Sequence, residues 1–137
     1  MGIVLDSSVL IAAERERRPV SQLLSSLGAD YADTRMVVSS VTVMELEHGW
    51  HRAVTPESAL KRRQYIDELL SAIPTEPFTH EMGVLGARID ADLRKSGFTM
   101  PTSDLLPGIT ALYLGYDVGT RNVRHFRTIP GLNVIIL

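Results

Sequence analysis

The chain of 137 residues is 45% hydrophobic and 22% charged, has no cysteine, and sets 14 lysines and arginines against 16 acids for a formal charge of −2. That length suits a single domain over residues 1–137, and the composition excludes a disordered or membrane-spanning chain. Disulfides, iron–sulfur clusters and thiolate zinc are excluded too, so any metal must be held by oxygen or imidazole. The acidic balance is not the global basicity common among nucleic-acid binders, although an enzyme that gathers carboxylates around a metal lowers its own net charge while keeping basic patches at the rim. The segment Met1-Gly2-Ile3-Val4-Leu5-Asp6 is too short for a secretory signal and has no basic residues before it, so a cytoplasmic location is expected.

Ile3 to Leu5 is a fully apolar run of the kind that forms a strand buried on both faces of a parallel sheet, and it delivers Asp6 to the strand's C-terminal end. Ser7 and Ser8 can cap a helix over Val9 to Arg18, and Pro19 can open a second one. In that second helix Val20, Leu23, Leu24 and Leu27 recur at helical spacing until Gly28. Met36 to Val38 predicts another strand. Ser39 or Ser40 can then cap a helix containing Val43, Met44, Leu46 and Trp50, with Glu45 about one turn inside it.

Thr55-Pro56-Glu57 is a helix start, combining a cap, a proline at the first position and an acid in the first turn. Its apolar face is Ile66, Leu69, Leu70 and Ile73, and Pro74 ends it. Thr79 begins a helix with Met82, Leu85, Gly86, Ile89 and Leu93 as its stripe and Gly97 as its stop. Thr102 to Gly115 is the last long helix, with Asp104 in its first turn. Asp117 to Thr120 and Val134 to Leu137 complete the strands. Such alternation predicts an α/β fold: a three-layer α/β/α domain around a central parallel sheet of four or five strands, with ligands beyond the strands' carboxyl ends.

Three acids stand where structure alone explains them poorly: Asp6 after a buried strand, Glu45 inside a mostly apolar helix, and Asp104 at a helix start. Singly, each could be a cap or a solvated side chain. Brought to one sheet end, they need a cation or raised pKa values, because two like charges about 4 Å apart repel by ~4 kcal/mol at an effective dielectric of about 20. Magnesium or manganese fits an all-oxygen donor set and leaves positions open for phosphate and water.

Ile3-Val4-Leu5-Asp6-Ser7-Ser8-Val9-Leu10-Ile11, the segment from Ser39 to Gly49, and Pro101 to Leu106 resemble three successive motifs of the PIN domains, and in particular of the VapC toxins. Thr120-Arg121-Asn122-Val123-Arg124-His125-Phe126 followed by Ile129-Pro130-Gly131-Leu132 is similar to the family's C-terminal signature. The resemblance covers nearly the whole chain. It implies a Mg2+- or Mn2+-dependent endoribonuclease, the toxin of a type II toxin–antitoxin pair. Such toxins typically form homodimers silenced by a VapB-type antitoxin, and exposed parts of the apolar stripes Val20 to Leu27 and Ile66 to Ile73 are candidate docking surfaces for it.

Carried over by position, Asp6, Glu45 and Asp104 are the acidic triad, with Asp6 and Asp104 the first choice as metal ligands and Glu45 completing the site directly or by orienting a water. The family's fourth position, often Asp, is Asn122 here, which implies one firmly held ion and a weaker second. Ser8 and Thr120 support the cluster through hydrogen bonds, and Arg121, Arg124 and Arg127 are candidates for RNA phosphate contacts. Leu106-Pro107-Gly108 departs from the family's small aliphatic residues, and Pro107 is expected in a first helical turn.

Other features read as structural. Glu45, His48 and His51 lack the partner motif that a bundle metal site needs. His80 and His125 stand alone. Basic runs at Arg15 to Arg18, Lys61 to Arg63 and Arg94-Lys95 are expected to be solvated helix faces. Gly83 and Gly86, which each weaken a helix by about 1 kcal/mol relative to alanine, imply close packing there. A receiver-like or haloacid-dehalogenase-like phosphoryl enzyme is disfavoured because position 8 is Ser and the only lysines are Lys61 and Lys95. A PIN-like binding module without catalysis is the alternative that Asn122 keeps open.

Overall fold

The structure, a computed structural model, describes all 137 residues. Its sheet has the order β3-β2-β1-β4-β5 and every pairing is parallel. The strands are β1 (Gly2–Leu5), β2 (Arg35–Ser39), β3 (Thr75–Glu76), β4 (Asp117–Thr120) and β5 (Val134–Ile136). Seven helices connect them: α1 (Ser7–Arg15), α2 (Val20–Asp30), α3 (Ser40–His51), α4 (Pro56–Ala72), α5 (His80–Lys95), α6 (Thr102–Leu114) and α7 (Val123–Phe126).

β1 lies at the centre, with Ile3 opposite Met36 of β2 on one side and Asp117 of β4 on the other. Alternation along β1 divides the core in two, as the period of two in a strand requires. Ile3 and Leu5 join Leu10, Leu23, Leu46, Ile66 and Leu69 on one face. Val4 joins Met82, Ile89, Ile109, Val118 and Phe126 on the other. The three layers follow: α1, α2 and α4 with Leu46 of α3 on one side, and α5, α6 and α7 on the other.

Local signals set most of the helix starts. Thr55 and Ser58 form a reciprocal capping box at α4, and Thr79 caps α5 through the Met82 amide. Ser39 rather than Ser40 caps α3. α1 differs from expectation: its cap is Asp6 itself, whose side chain accepts from the Ser8 amide, so the helix starts at Ser7 and ends at Arg15. α2 runs through Gly28 to Asp30, because burial of Val20, Leu23 and Leu27 outweighs the weak helix propensity of one glycine.

Pro107 sits at the sixth residue of α6, past the first turn, so it removes an interior hydrogen bond rather than a spare N–H. β3 and α7 are too short to show a periodicity. Of the stripes Val20 to Leu27 and Ile66 to Ile73, Val20, Leu23, Leu27, Ile66, Leu69 and Ile73 are buried in the core, and Leu24 and Leu70 remain partly exposed. Gly86 lies against Ile109, where an added Cβ would meet its side chain at 3.5 Å, but Gly83 has no neighbour within 4 Å.

Candidate active site

The chain leaves β1, builds β2 and β3 to one side, and returns to place β4 on the other. This reversal opens a crevice at the C-terminal end of β1. Asp6 is the first residue after that strand, only 2% exposed, with its amide bonded to the Gly119 carbonyl at 2.8 Å.

Both sides of the crevice donate to one oxygen of Asp6. Oδ2 accepts from Ser8 Oγ at 2.7 Å, from Thr120 Oγ1 at 2.9 Å and, at longer range, from the Ser8 amide at 3.4 Å. The two hydroxyls are in turn polarised by backbone amides: Arg121 N–H donates to Ser8 Oγ at 3.1 Å and Asn122 N–H to Thr120 Oγ1 at 2.9 Å. Such chains strengthen each member and hold the carboxylate in one orientation. Oδ1 of the same group is buried and has no partner.

Glu45, half-buried on α3, repeats the pattern. Its Oε2 accepts from Ser7 Oγ at 3.2 Å while Oε1 is buried without a partner. Burial pushes its carboxyl pKa up, the Ser7 hydrogen bond acts against that, and the charges of Asp6 and Asp104 add to the rise. The three acids therefore come close enough to feel one another. They do not converge into a ready-made cage, since no three Asp, Glu or His side chains surround a single point at ligand distance.

Asp104, in the first turn of α6, accepts at Oδ2 from His125 Nδ1 at 2.6 Å. This partner was missed in the sequence, where His125 stood alone. Its only signal is the C-terminal signature, because the contact depends on α7 folding back over α6. Ser7 was also missed: beside Asp6 it reads as a cap, and its bond to Glu45 spans 38 residues.

An open cleft of about 470 Å3 is lined by Asp6, Ser8, Asp104, Arg15, Arg121 and Asn122, among others. Glu45 lines the neighbouring cleft with Arg52 and Arg62, and Arg15 and Ile11 form the wall between the two. Asn122 is exposed, precedes α7 and makes no side-chain cap. Arg121 is tied to Glu16 at 2.8 Å and to the Leu137 carbonyl at 3.2 Å, whereas Arg124 and Arg127 are exposed. Glu47 is apart from the cluster, held by a two-pronged ion pair with Arg63 at 2.7 Å that keeps its pKa low.

Residues 3–131 match the PIN domain family. Ribonuclease VapC1 of Rickettsia felis is 33% identical to this chain over 135 residues, covering 98% of this chain and 96% of that protein. The tRNA(fMet)-specific endonuclease VapC of Salmonella typhimurium is 28% identical over 101 residues, 74% of each chain. Among solved structures, the complex VapBC2 of Rickettsia felis bound to a promoter DNA fragment aligns with a TM-score of 0.88 at 20% identity, covering 100% of this chain and 99% of the other. FitAcB of Neisseria gonorrhoeae aligns with a TM-score of 0.81 at 20% identity, covering 97% and 96%.

Proposed function

Because this chain belongs to the PIN-domain family and to its VapC branch, we propose that it is the toxin of a type II toxin–antitoxin pair, an endoribonuclease that hydrolyses phosphodiester bonds with a divalent metal ion. Its partners are RNA, a cognate VapB-type antitoxin and a second copy of itself. The observation that carries the reading is the pair of buried, unpartnered carboxylate oxygens, Asp6 Oδ1 and Glu45 Oε1, on acids that feel each other's charge. Leaving such an oxygen unsatisfied costs roughly 1–3 kcal/mol or more, which a bound cation removes.

The donor set is all oxygen and suits magnesium or manganese. Asp6 and Asp104 would hold the ion, with Glu45 beside them. Two protein carboxylates suffice, since magnesium keeps most of its waters and takes the remaining oxygens from substrate phosphate. A divalent ion supplies charge neutralisation and a more acidic water.

The chain's own residues do the rest. Ser8 and Thr120 fix Oδ2 of Asp6 and leave Oδ1 as the free donor. His125 fixes Asp104 in the same way. Glu45, with its raised pKa, is suited to accept the proton of a water whose oxygen adds to phosphorus while a ribose oxygen departs and takes a proton from solvent. Asn122 offers an amide rather than a charge, consistent with a single tightly held ion.

The test is magnesium- and manganese-dependent cleavage of pooled cellular RNA by the wild type and by Asp6→Asn, which keeps a good α1 cap. Cleavage by the wild type and loss of it in the variant is expected. Equal cleavage by both would sink the assignment. RNA binding without cleavage at saturating metal would favour the binding-module reading instead.

A further inference from the structure

α1 ends in a Schellman motif in which Arg17 N–H bonds the Glu14 carbonyl at 3.0 Å and Arg18 N–H bonds the Ala13 carbonyl at 2.9 Å. The left-handed position of that motif normally belongs to glycine, yet here it is Arg17 at φ 55, the only non-glycine residue with positive φ. An L side chain is strained there. Retention of a strained residue where glycine would fit directs attention to what its side chain does.

Arg17 lines a second cleft, of about 600 Å3, between the end of α1 and the start of α4. Arg15, Arg17, Arg18, Lys61 and Arg62 line it against a single acid, Glu14, which Arg62 neutralises at 2.8 Å. Arg15, Arg17 and Lys61 are in no ion pair with the protein. This local excess sits in a chain whose formal charge is −2. It is not a one-helix solvated face, since its charges come from two elements meeting in a concave surface.

Arg15 also lines the Asp6–Asp104 cleft and the Glu45 cleft, so the basic surface runs without a break into the acidic centre. A polyanion approaching Asp6, Glu45 and Asp104 is repelled unless cations beside them hold its backbone. The occupant that fits is a single nucleic-acid strand. An amphipathic peptide needs apolar anchors, and the cleft offers only Pro19 and the ring of Tyr65, whose hydroxyl is committed to the Leu10 carbonyl.

We propose that the α1–α4 cleft is the RNA track of this protein, in which Arg15, Arg17 and Lys61 bind the phosphates of the strand being cut. The proposal rests on the ribonuclease reading above and assigns the substrate-binding surface to α1 and α4 rather than to Arg121, which is already paired with Glu16.

The test is fluorescence anisotropy of a short single-stranded RNA in EDTA across a salt series, with the wild type, Arg17→Gly, the double variant Arg17→Gly/Lys61→Ala, and Arg88→Ala on the exposed side of α5 as control. Arg17→Gly is expected to melt no lower than the wild type, because it relieves the left-handed strain, while binding RNA more weakly. The double variant should lose about tenfold in affinity at low salt, and its slope of log affinity against log salt should fall by about 0.7 for each cation removed. Arg88→Ala should match the wild type. Unchanged affinity and slope in the double variant, while the wild type cleaves RNA, would overturn the track and leave the ribonuclease reading standing. A wild type that neither binds nor cleaves RNA with Mg2+ or Mn2+ removes both. RNA affinity kept while affinity for poly-glutamate is lost would make the cleft a site for an acidic polypeptide and refute the proposal.

Discussion

At the scale of single residues, Glu45 links stability to pH. Its folded pKa lies above the unfolded value of 4.5, so between the two the folded state holds more protons than the unfolded state. Stability then falls as pH rises through that window, and the penalty is fully present above the folded pKa. Glu45→Gln, measured in EDTA, should therefore melt higher than the wild type at pH 7, with the advantage shrinking as pH falls toward 4.5. A melting difference independent of pH would contradict the burial argument. His125→Ala makes a second case. Removing the group that orients Asp104 should leave the melting temperature nearly unchanged and weaken Mn2+ binding, followed by calorimetry, by about 10–100-fold. Among the acids, Asp6 stood out because an apolar run points to it, whereas Asp104 in a first turn reads equally as a dipole-favoured acid and was singled out only by its combination with the others. Ser8 and Thr120 were legible as supports only through the family resemblance, and the partners Ser7 and His125 were not legible at all. Ser8 with Thr120, Ser7 with Glu45 and Asp104 with His125 are 112, 38 and 21 residues apart, and no local pattern joins them.

At the scale of elements, the helices announced themselves through caps and stripes. Thr55-Pro56 and Thr79 needed no tertiary context, since each cap bonds an amide three residues on. The misreadings came where one residue can play two parts. Ser7 or Ser8 was the expected cap of α1, but Asp6, for which a cap was one of two readings, caps the helix itself while also standing in the acidic cluster. Pro107 and α7 show the other limit: burial of Pro107 beside Gly108 and Ile109 holds α6 together across a lost hydrogen bond, and four residues are too few for a helical period. The glycines give this scale its prediction. Gly83→Ala, facing open space, should stabilise by about 1 kcal/mol, worth about 3–5 °C in melting temperature. Gly108→Ala should destabilise by about 1–3 kcal/mol, because its Cβ would lie 2.6 Å from Ile129 Cδ1 in a filled core. Shifts of the same sign in thermal melts would refute the distinction.

At the scale of the whole molecule, the parallel order and three-layer arrangement followed from alternating strands and helices, while the two-residue β3 escaped notice for want of any pattern. Large apolar side chains remain exposed on four helices: Met44 on α3, Leu60 on α4, Val84 on α5 and Tyr113 on α6. Light scattering on the isolated protein should give twice the 15.1 kDa of one chain, consistent with the dimer proposed above, and a single-chain mass at micromolar concentration would argue against it.

The hydrogen bond from Thr120 to Asp6 also sets a timetable. Thr120 is made 114 residues after Asp6, about 6–23 s later at ordinary rates of synthesis. Until β4 arrives, β1 lacks one of its two neighbours and Asp6 lacks the hydroxyl that turns it. The orientation of Asp6 is therefore a late event of folding, set only once β4 docks beside β1.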